Sequence, residues 1–298
     1  MRGAEHSQPS ISIVTPSLNQ GRYLADALES VIAQEHPSVE HIVVEGGSDD
    51  DSRAILDRYA AAWPHVRVIE DVPPRGQSAA LNVGFRAARG DIVGWLNADD
   101  RYCRGAFEAV ADAFAEGDAS VVYGDWEVID ANGDVVFRHV AGAFDRRRLL
   151  DGINETIAQP TVFFRRELFD RVGYLDESLH YVMDFDLWLR ASAVTEFAYV
   201  RRTLAQFRRH AESKTQSRPG SFYEEARPMC RAHGGPFFSA AFRRRSLERL
   251  LGTRLATHVL WHWSRGADAA LGRSVVAAAA ERPACPLCRY GLLGGRAS

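Results

Sequence analysis

The chain has 298 residues, of which 46% are hydrophobic and 25% are charged, a composition typical of a globular protein rather than a disordered or fibrous one. Its longest apolar runs are a few residues long, far short of the roughly 20 that a membrane-spanning helix needs. Four cysteines are too few for a disulfide scaffold, and the polar first ten residues lack the features of a secretory signal. We therefore expect a cytoplasmic protein with one large domain or one domain and an extension.

Charge is distributed unevenly along the chain. The formal net charge is −3, but residues 1–200 carry 18 basic and 33 acidic side chains, whereas residues 201–298 carry 18 basic and 6 acidic ones. The basic C-terminal third is suited to contact phosphate groups or an anionic membrane surface. Nucleic acid is not expected as a partner, because no nucleic-acid-binding motif is present and the first 200 residues are acidic.

In the first 125 residues, short β-branched runs alternate with segments of helical period. This alternation predicts an α/β fold with right-handed βαβ crossovers and a mostly parallel central sheet flanked by helices. The predicted strands are Ile11–Thr15, His41–Glu45, Val66–Glu70, Asp91–Leu96 and Ser120–Tyr123. The predicted helices are Tyr23–Gln34, Ser52–Ala62, Ser78–Arg89 and Ala106–Glu116.

The pattern changes after residue 125. Trp126–Ile129 and Val135–His139 flank a turn-forming segment and predict a β-hairpin. The segments after it predict a strand, two helices and two further strands, and helices continue from Ser221 onward. In chain order these are Gln159–Phe164, Arg166–Arg171, Asp184–Ala193, Glu196–Val200 and Leu204–Arg208, with two or three helices within Phe237–Ala280.

The carboxyl ends of the first predicted strands are polar and acidic. Ligands of doubly wound α/β sheets bind at this edge. Asp and Ser in such loops also cap the helix that follows, and capping explains Ser48–Asp51 well. Capping alone does not account for carboxylates at successive strand ends. The segments concerned are Thr15–Asn19, Glu45–Asp51, Glu70–Asp71 and Asn97–Asp100.

The segment Asn97-Ala98-Asp99-Asp100 follows the fourth predicted strand. Mg²⁺ and Mn²⁺ prefer oxygen ligands and often complete their coordination with substrate phosphates. A metal ion held here would neutralise the charge that develops on a diphosphate leaving group. The alternative is that Asp99 or Asp100 caps the next helix, near Ala106. From these residues alone, both interpretations remain open.

Five separated motifs, in the expected order, resemble those of family 2 glycosyltransferases. The resemblance covers roughly residues 10–215. It implies a GT-A fold, a nucleotide-diphosphate sugar donor, a divalent cation (Mn²⁺ or Mg²⁺) and inversion at the anomeric carbon. The motifs are Ile13–Tyr23, Val43–Asp49, Gly76–Asp100, Met183–Arg190 and Phe207–Lys214.

The resemblance also implies a division of the chain. Residues 1–9 would be a flexible N-terminus, and residues 10–215 the GT-A domain, with a nucleotide-binding half (10–125) and an acceptor half (126–215). Residues 216–298 would form a basic helical extension. Such enzymes commonly build bacterial surface polysaccharides on saccharide or lipid-linked acceptors, and the extension would suit peripheral contact with the inner face of the plasma membrane.

Carried over position by position, the resemblance places the nucleotide-binding residues in three loops. Glu45 stands where the family usually has an aspartate that bonds the base. A glutamate can accept a bond from a uracil N–H, which favours a UDP-sugar, although its longer arm leaves the base open. Gln77 and Ser78 begin a helix whose N-terminus faces the diphosphate. The residues implied in donor binding by these loops are Thr15, Pro16, Asn19, Glu45, Gly46, Asp49, Gln77 and Ser78.

Asn97-Ala98-Asp99 aligns with the metal-binding DxD motif of the family, with Asn97 in place of the first acid. Asp99 is therefore implied as the main metal ligand, with Asp100 assisting. His210 matches a histidine that reaches the metal in some relatives, and an exposed polar loop is the alternative interpretation of that segment.

Asp184 aligns with the general base of the family, which takes the proton of the acceptor hydroxyl. This chain has Met183 where relatives often have a partner acid, and Asp184 alone could equally cap a helix. Gln159 is implied near the sugar or acceptor, and Lys214 near the diphosphate.

Two other functions stay open at this stage. A nucleotidyltransferase also combines a doubly wound sheet with metal-binding carboxylates, but usually has a basic phosphate loop after the first strand, whereas Thr15–Asn19 has no cation. A non-catalytic nucleotide-sugar-binding protein is favoured by the departures at Asn97 and Met183. The pair Cys285 and Cys288 is a single CxxC, for which a zinc site is not expected.

Overall fold

A computed structural model describes residues 8–151, 157–214 and 221–236. The strands are β1 (Ile11–Ser17), β2 (Val39–Glu45), β3 (Val66–Glu70), β4 (Ile92–Trp95), β5 (Arg101–Tyr102), β6 (Val121–Ile129), β7 (Val135–His139), β8 (Phe163–Arg165) and β9 (Phe197–Arg208). The helices are α1 (Gly21–Ile32), α2 (Ser52–Ala62), α3 (Gln77–Ala87), α4 (Ala106–Glu116), α5 (Arg146–Leu150), α6 (Leu168–Val172), α7 (Met183–Ala191) and α8 (Ser221–Ala232).

The described strands form one sheet in the order β3-β2-β1-β4-β8-β6-β9-β5, with β7 paired to β6. The first four strands are parallel to one another, as βαβ crossovers require. Strand β8 then enters antiparallel between β4 and β6, and β9 runs parallel to β6. The strand order reverses at β1, because β2 and β3 lie on one side of it and β4 on the other, so a crevice opens beside the carboxyl ends of β1 and β4.

Helices cover both faces of the sheet because successive side chains of a strand point to opposite sides. On one face, Ile11 and Ile13 of β1 pack in a cluster with Phe107 and Val110 of α4. On the other face, Val14 meets α3 at Gly84, where a Cβ atom would lie 2.2 Å from a methyl group of Val14. Only glycine permits this close approach, which fixes the height of α3 over the sheet.

The predicted α/β fold and its hairpin are confirmed, and α2 and α4 have the predicted limits. Three details were wrong. Gln159–Thr161 is a 3₁₀ turn, and the strand is confined to Phe163–Arg165. The two predicted strands after residue 195 are one continuous strand, which pairs with β6 at both of its ends and shifts register between them. The short strand β5 carries no periodic signal and was not predicted.

The first helix of the predicted extension, α8, packs against α5 and α7. Its apolar side is buried through Ala226, Met229 and Cys230, which follow a helical spacing. None of the described helices combines the length and apolar character that crossing a bilayer requires. The predictions for residues 237–298, including Cys285 and Cys288, lie outside the described residues, as does most of the predicted flexible N-terminus.

Candidate active site

A cavity of about 470 Å³ lies at the crevice between the carboxyl ends of β1 and β4. Its wall combines the loops after β1, β2 and β4, the start of α3, the start of α7 and the segment after β9. Ten predicted site residues line it: Pro16, Gly46, Gln77, Asn97, Ala98, Asp99, Gln159, Asp184, His210 and Lys214. The fold thus brings together residues that are up to 198 positions apart in the sequence, between Pro16 and Lys214.

Asp99 and His210 face each other in this cavity. The Nε2 atom of His210 lies 3.0 Å from Oδ2 of Asp99, and both side chains are largely shielded from solvent. The imidazole of His210 also packs on the ring of Tyr23, with 4.8 Å between ring centroids. A carboxylate oxygen and an imidazole nitrogen are thus held next to each other at the end of β4.

A fully buried arginine fixes this arrangement. Arg208, at the end of β9, donates from Nε to the carbonyl of Asp99 at 2.8 Å and from its guanidinium to Asp26 of α1 at 2.6 Å. Its guanidinium lies 4.7 Å from the centre of the Tyr23 ring. Because His210 follows two residues later, Arg208 sets the position of both members of the Asp99–His210 pair.

Asn97 is the centre of a hydrogen-bond network in the cavity wall. Its amide oxygen accepts bonds from Gln77 Nε2 and from the indole N–H of Trp95, both at 2.9 Å. Its amide nitrogen donates to Gln159 at 2.9 Å and to Asp100 at 3.2 Å. These four bonds occupy both lone pairs of the amide oxygen and both hydrogens of the amide nitrogen, and an aspartate could not donate the last two. This accounts for asparagine at the first position of the DxD-like motif.

Lys214 joins the two sides of the cavity. Its ammonium group donates to Gln77 Oε1 at 3.1 Å and lies 5.4 Å from the centre of the Tyr181 ring. Gln77 in turn begins α3, after Gly76 with a φ of 109°. The N-cap residue Gly76 has no side chain that could cap this helix end, and the backbone N–H groups there carry a partial positive charge beside the cavity.

Asp184 is not the N-cap residue of α7, because it lies in the first turn of that helix and Val182 occupies the N-cap position. One oxygen accepts the N–H of Phe185 at 2.8 Å. Burial raises the pKa of Asp184 from 3.8 to about 6, while the N–H bond and the charge of Lys214 oppose that rise. A carboxylate with such a pKa is a competent proton acceptor near neutral pH.

Asp100 does not line the cavity. It is buried, and its two oxygens accept the backbone N–H of Arg208 at 2.8 Å and the amide of Asn97. Burial and the neighbouring charge of Asp99 raise the pKa of Asp100 well above its usual value. Neither acid caps the following helix, because β5 intervenes and Gly105 is the N-cap of α4.

Five predicted donor-binding residues also do not line the cavity, namely Thr15, Asn19, Glu45, Asp49 and Ser78, and four of their side chains bond within the protein. Thr15 is buried and shares a 2.9 Å hydrogen bond with His41. Asn19, in the left-handed region with a φ of 54°, accepts the N–H of Asp49 and so ties together the loops after β1 and β2. Ser78 donates to the carbonyl of Leu179 at 3.0 Å.

Glu45, another of these five residues, folds back on its own turn. Its oxygens accept the N–H groups of Gly47 at 2.8 Å and Ser48 at 2.6 Å, and Arg53 lies 3.4 Å away. Burial would raise the pKa of Glu45, but these hydrogen bonds and the arginine lower it overall, so the group is ionised at neutral pH. Capping also explains Asp50, which accepts the first N–H of α2 at 2.9 Å.

Several residues that the sequence did not single out line the cavity as well. Trp95 belongs to a quoted motif but carried no assigned role, and Arg75 directly precedes Gly76. His180 and Tyr181 lie just before the Asp184 motif, and only that proximity could have pointed to them. Glu212 lies within the segment after β9.

The donor set suits a divalent cation that shares its coordination with a substrate. In the described part of the chain, no group of three or more His, Cys, Asp and Glu side chains is arranged to hold a metal ion. Asp99 and His210 supply two adjacent donor atoms inside an open cavity. Mn²⁺ and Mg²⁺ bind in this way with one or two protein groups, while substrate phosphates and water complete the coordination.

Comparison with known proteins supports the motif analysis. The family model described as "Glycosyl transferase family 2" matches residues 12–173, more than half of the chain. This chain is a family 2 glycosyltransferase. Among its relatives is an uncharacterised glycosyltransferase of Rickettsia prowazekii, 28% identical over 217 residues that cover 70% of this chain and 67% of the relative.

Solved structures share the fold of this glycosyltransferase. S. aureus TarS 1–349 in complex with UDP-GlcNAc has a TM-score of 0.61 at 18% identity, covering 89% of this chain and 76% of that one. A longer TarS structure is matched over 43% of its length. The mannosyltransferase PcManGT of Pyrobaculum calidifontis, in complex with GDP-Man and Mn²⁺, has a TM-score of 0.55 at 18% identity, covering 89% and 81%.

Proposed function

We propose that this glycosyltransferase moves a sugar from a UDP-sugar to a hydroxyl group of a saccharide or lipid-linked acceptor, with inversion at the anomeric carbon. The observation that carries the proposal is the shared cavity of the Asp99–His210 pair and Asp184. The neighbouring structure with UDP-GlcNAc favours a uridine nucleotide. Surface polysaccharide synthesis is the process we propose for it.

Asp184 acts as the general base. Its carboxylate takes the proton of the acceptor hydroxyl as that oxygen forms a bond to the anomeric carbon. The bond from this carbon to the diphosphate oxygen breaks at the same time, and the nucleoside diphosphate leaves with the electron pair. Attack from the side opposite the leaving group inverts the anomeric configuration. Burial keeps the Asp184 carboxylate basic enough for the transfer.

Asp99 and His210 hold the divalent cation, which would neutralise charge on the donor diphosphate when bound. We leave Asp100 out of this ligand set because both of its oxygens are bonded within the protein. The open N-terminus of α3 and the ammonium group of Lys214 face the same region, where they attract phosphate oxygens. Glu45 shapes the loop against which the base would lie.

A panel of nucleotide sugars tests the donor, with thermal stability measured with and without Mn²⁺. We expect UDP-sugars to raise the melting temperature only when Mn²⁺ is present, and GDP- and CMP-sugars to have little effect. Asp99→Ala should abolish the metal-dependent shift, whereas Asp184→Asn should keep it. A panel with no effect, or an equal shift without metal, would contradict the proposal.

We further propose that residues 216–298 bring the enzyme to an anionic membrane surface, because these 83 residues carry 13 basic and 5 acidic side chains. Co-sedimentation with vesicles of anionic phospholipid at low salt tests this. The protein should pellet with these vesicles and stay in the supernatant with zwitterionic ones. Protein that remains in the supernatant with both would rule out the membrane contact.

A further inference from the structure

Helix α8 contacts the cavity wall through the acidic side chain of Glu225. Glu225 accepts the backbone N–H of His180 at 3.0 Å and that of Tyr181 at 2.7 Å, through its Oε2 atom. Its other oxygen lies 3.2 Å from the nitrogen of His180. Two consecutive N–H groups are thus bound by one carboxylate, a strong arrangement because the acceptor is charged.

These N–H groups belong to the cavity rim, which we define as His180 and Tyr181. Both residues line the cavity directly before α7. Directly before the rim, the carbonyl of Leu179 accepts a hydrogen bond from the hydroxyl of Ser78. The segment is therefore held both by Glu225 of α8 and by Ser78 of α3.

The position of α8 itself is fixed at two further points. Phe222 packs edge-to-face on Phe185, with 5.8 Å between ring centroids. Beyond the helix end, His233 lies 3.0 Å from Asp186 of α7. Helix α8 is thus anchored to the helix that carries Asp184, and Glu225 is held at a constant distance from the rim.

The rim also contacts Lys214. The Tyr181 ring lies beside the ammonium group of Lys214, which also donates to Gln77. Burial lowers the pKa of Lys214, and the carboxylates of Glu225 and Asp184 act against that change. Glu225 thus influences this cation in two ways, through the rim and through its charge.

We infer that Glu225 is a positioning residue of the active site, and that α8 forms an outer wall that the family-wide motifs do not include. The family model ends at residue 173, and the motif resemblance ends at residue 215. Glu225 acts through the rim on Lys214, so that the cavity reaches its donor-binding shape only with α8 in place. The inference rests on the proposed use of a uridine diphosphate donor.

Two measurements on the full chain test this inference, with UDP and Mn²⁺ as the probe. The first is hydrogen exchange of the rim amides, and the second is the dissociation constant for UDP by calorimetry in the presence of Mn²⁺. The variants are Glu225→Ala, which removes the acceptor, and Glu225→Gln, which keeps one acceptor oxygen without the charge. Asp118→Ala, which removes an exposed acid that does not line the cavity, is the control.

We expect rim exchange in Glu225→Ala to accelerate about tenfold or more, and UDP to bind about fivefold to tenfold more weakly, since each lost bond to a charged acceptor is costly. Glu225→Gln should restore most of the rim protection and bind UDP more tightly than the alanine variant. Asp118→Ala should behave like the wild type in both measurements.

Unchanged UDP affinity in Glu225→Ala would overturn the inference and leave the proposed function intact. Equal loss of affinity in both Glu225 variants, with wild-type exchange at the rim, would overturn it too, because the rim would not be the route. If the wild type itself did not bind UDP with Mn²⁺, the proposed donor would be wrong and the inference would fail with it.

Discussion

Residues 10–125 and residues 126–215 of the catalytic domain, called here the first and the second half, use their polar side chains differently. All six predicted site residues that do not line the cavity lie in the first half: Thr15, Asn19, Glu45, Asp49, Ser78 and Asp100. All four predicted in the second half line it: Gln159, Asp184, His210 and Lys214.

The difference follows from the architecture. The parallel strands β1 to β4 are buried, and the tight loops at their ends have backbone groups that need hydrogen-bond partners. Glu45 and Asn19 satisfy those groups, so the first half provides a rigid, preformed floor. The second half supplies most of the ionisable groups that line the cavity. Mutation of a loop-bonded residue such as Glu45 or Asn19 should therefore mainly lower stability, whereas mutation of a residue that lines the cavity should mainly lower activity.

Asp184→Asn should have the largest effect on chemistry. Loss of the general base should lower the transfer rate by about 10²- to 10⁴-fold with UDP affinity retained. Rates of the wild type should fall as the pH drops below about 6, because protonated Asp184 cannot accept a proton. Steady-state kinetics over pH and calorimetry with UDP measure both.

The same variant should be more stable than the wild type. The pKa of Asp184 is raised to about 6 in the folded state, so above that pH its charge destabilises the fold. We expect a gain on the order of 1–3 kcal/mol in Asp184→Asn at neutral pH. Asp186→Asn is the matched control, and should lose stability because Asp186 pairs with Arg190 at 2.8 Å. A less stable Asp184→Asn would contradict the account.

Arg208→Lys should lower both the stability and the Mn²⁺ affinity, since Arg208 lies in the second half and bonds to Asp26 and Asp99 of the first. A lysine cannot reach Asp99 and Asp26 together, and the buried interactions lost should cost about 2–4 kcal/mol. Mn²⁺ affinity in the presence of UDP should fall as the Asp99–His210 pair loses its support. Chemical denaturation and Mn²⁺ titration measure the two effects, and Arg201→Lys, at an exposed position of the same strand, should leave both unchanged.

Asn97→Asp tests the hydrogen-bond network in the cavity wall, because it restores the acid usual in the family. The aspartate would lose the two bonds donated to Gln159 and Asp100 and would place a further carboxylate beside a buried one. We expect about tenfold lower activity, in line with the cost of unpaired buried groups. Transfer rates at saturating Mn²⁺ measure it, and a rate above that of the wild type would show that the network around Asn97 is dispensable.

A further effect, which depends on pH, is expected in the floor of the first half. Burial, with a contribution from the charge of His65, lowers the pKa of His41 to about 3. Below pH 6.5 the unfolded chain therefore binds a proton that the folded one does not, and stability falls by up to ~1.4 kcal/mol per pH unit from this group. In His41→Gln, denaturation midpoints should depend less on pH between 6 and 4.5, and a slope equal to that of the wild type would contradict this prediction.

The fold of the first half could be predicted well from the sequence, because its strands and helices have clear hydrophobic periods. The limits of α2 and α4 agree with their predictions. The insertion of β8 between β4 and β6 could not be predicted, since pairing between distant segments has no periodic signature. Strand β5 is too short to show one.

Residue types predicted which loops meet at the cavity, but not which side chains face it. Asn19 and Asp99 both follow parallel strands, yet Asn19 turns to the Asp49 N–H and Asp99 to His210. That choice depends on local backbone geometry, such as the left-handed conformation of Asn19. Glu225 carried no signal at all, because its role follows from how α8 packs rather than from its neighbours in the sequence.

A crystal structure of the full chain with UDP and Mn²⁺ tests the central claim most directly. The account predicts one ion held by the carboxylate of Asp99 and the imidazole of His210, with diphosphate oxygens completing its coordination and Asp100 still bonded to Arg208. An ion bound elsewhere, or UDP bound with Asp99 and His210 still paired only to each other, would contradict it.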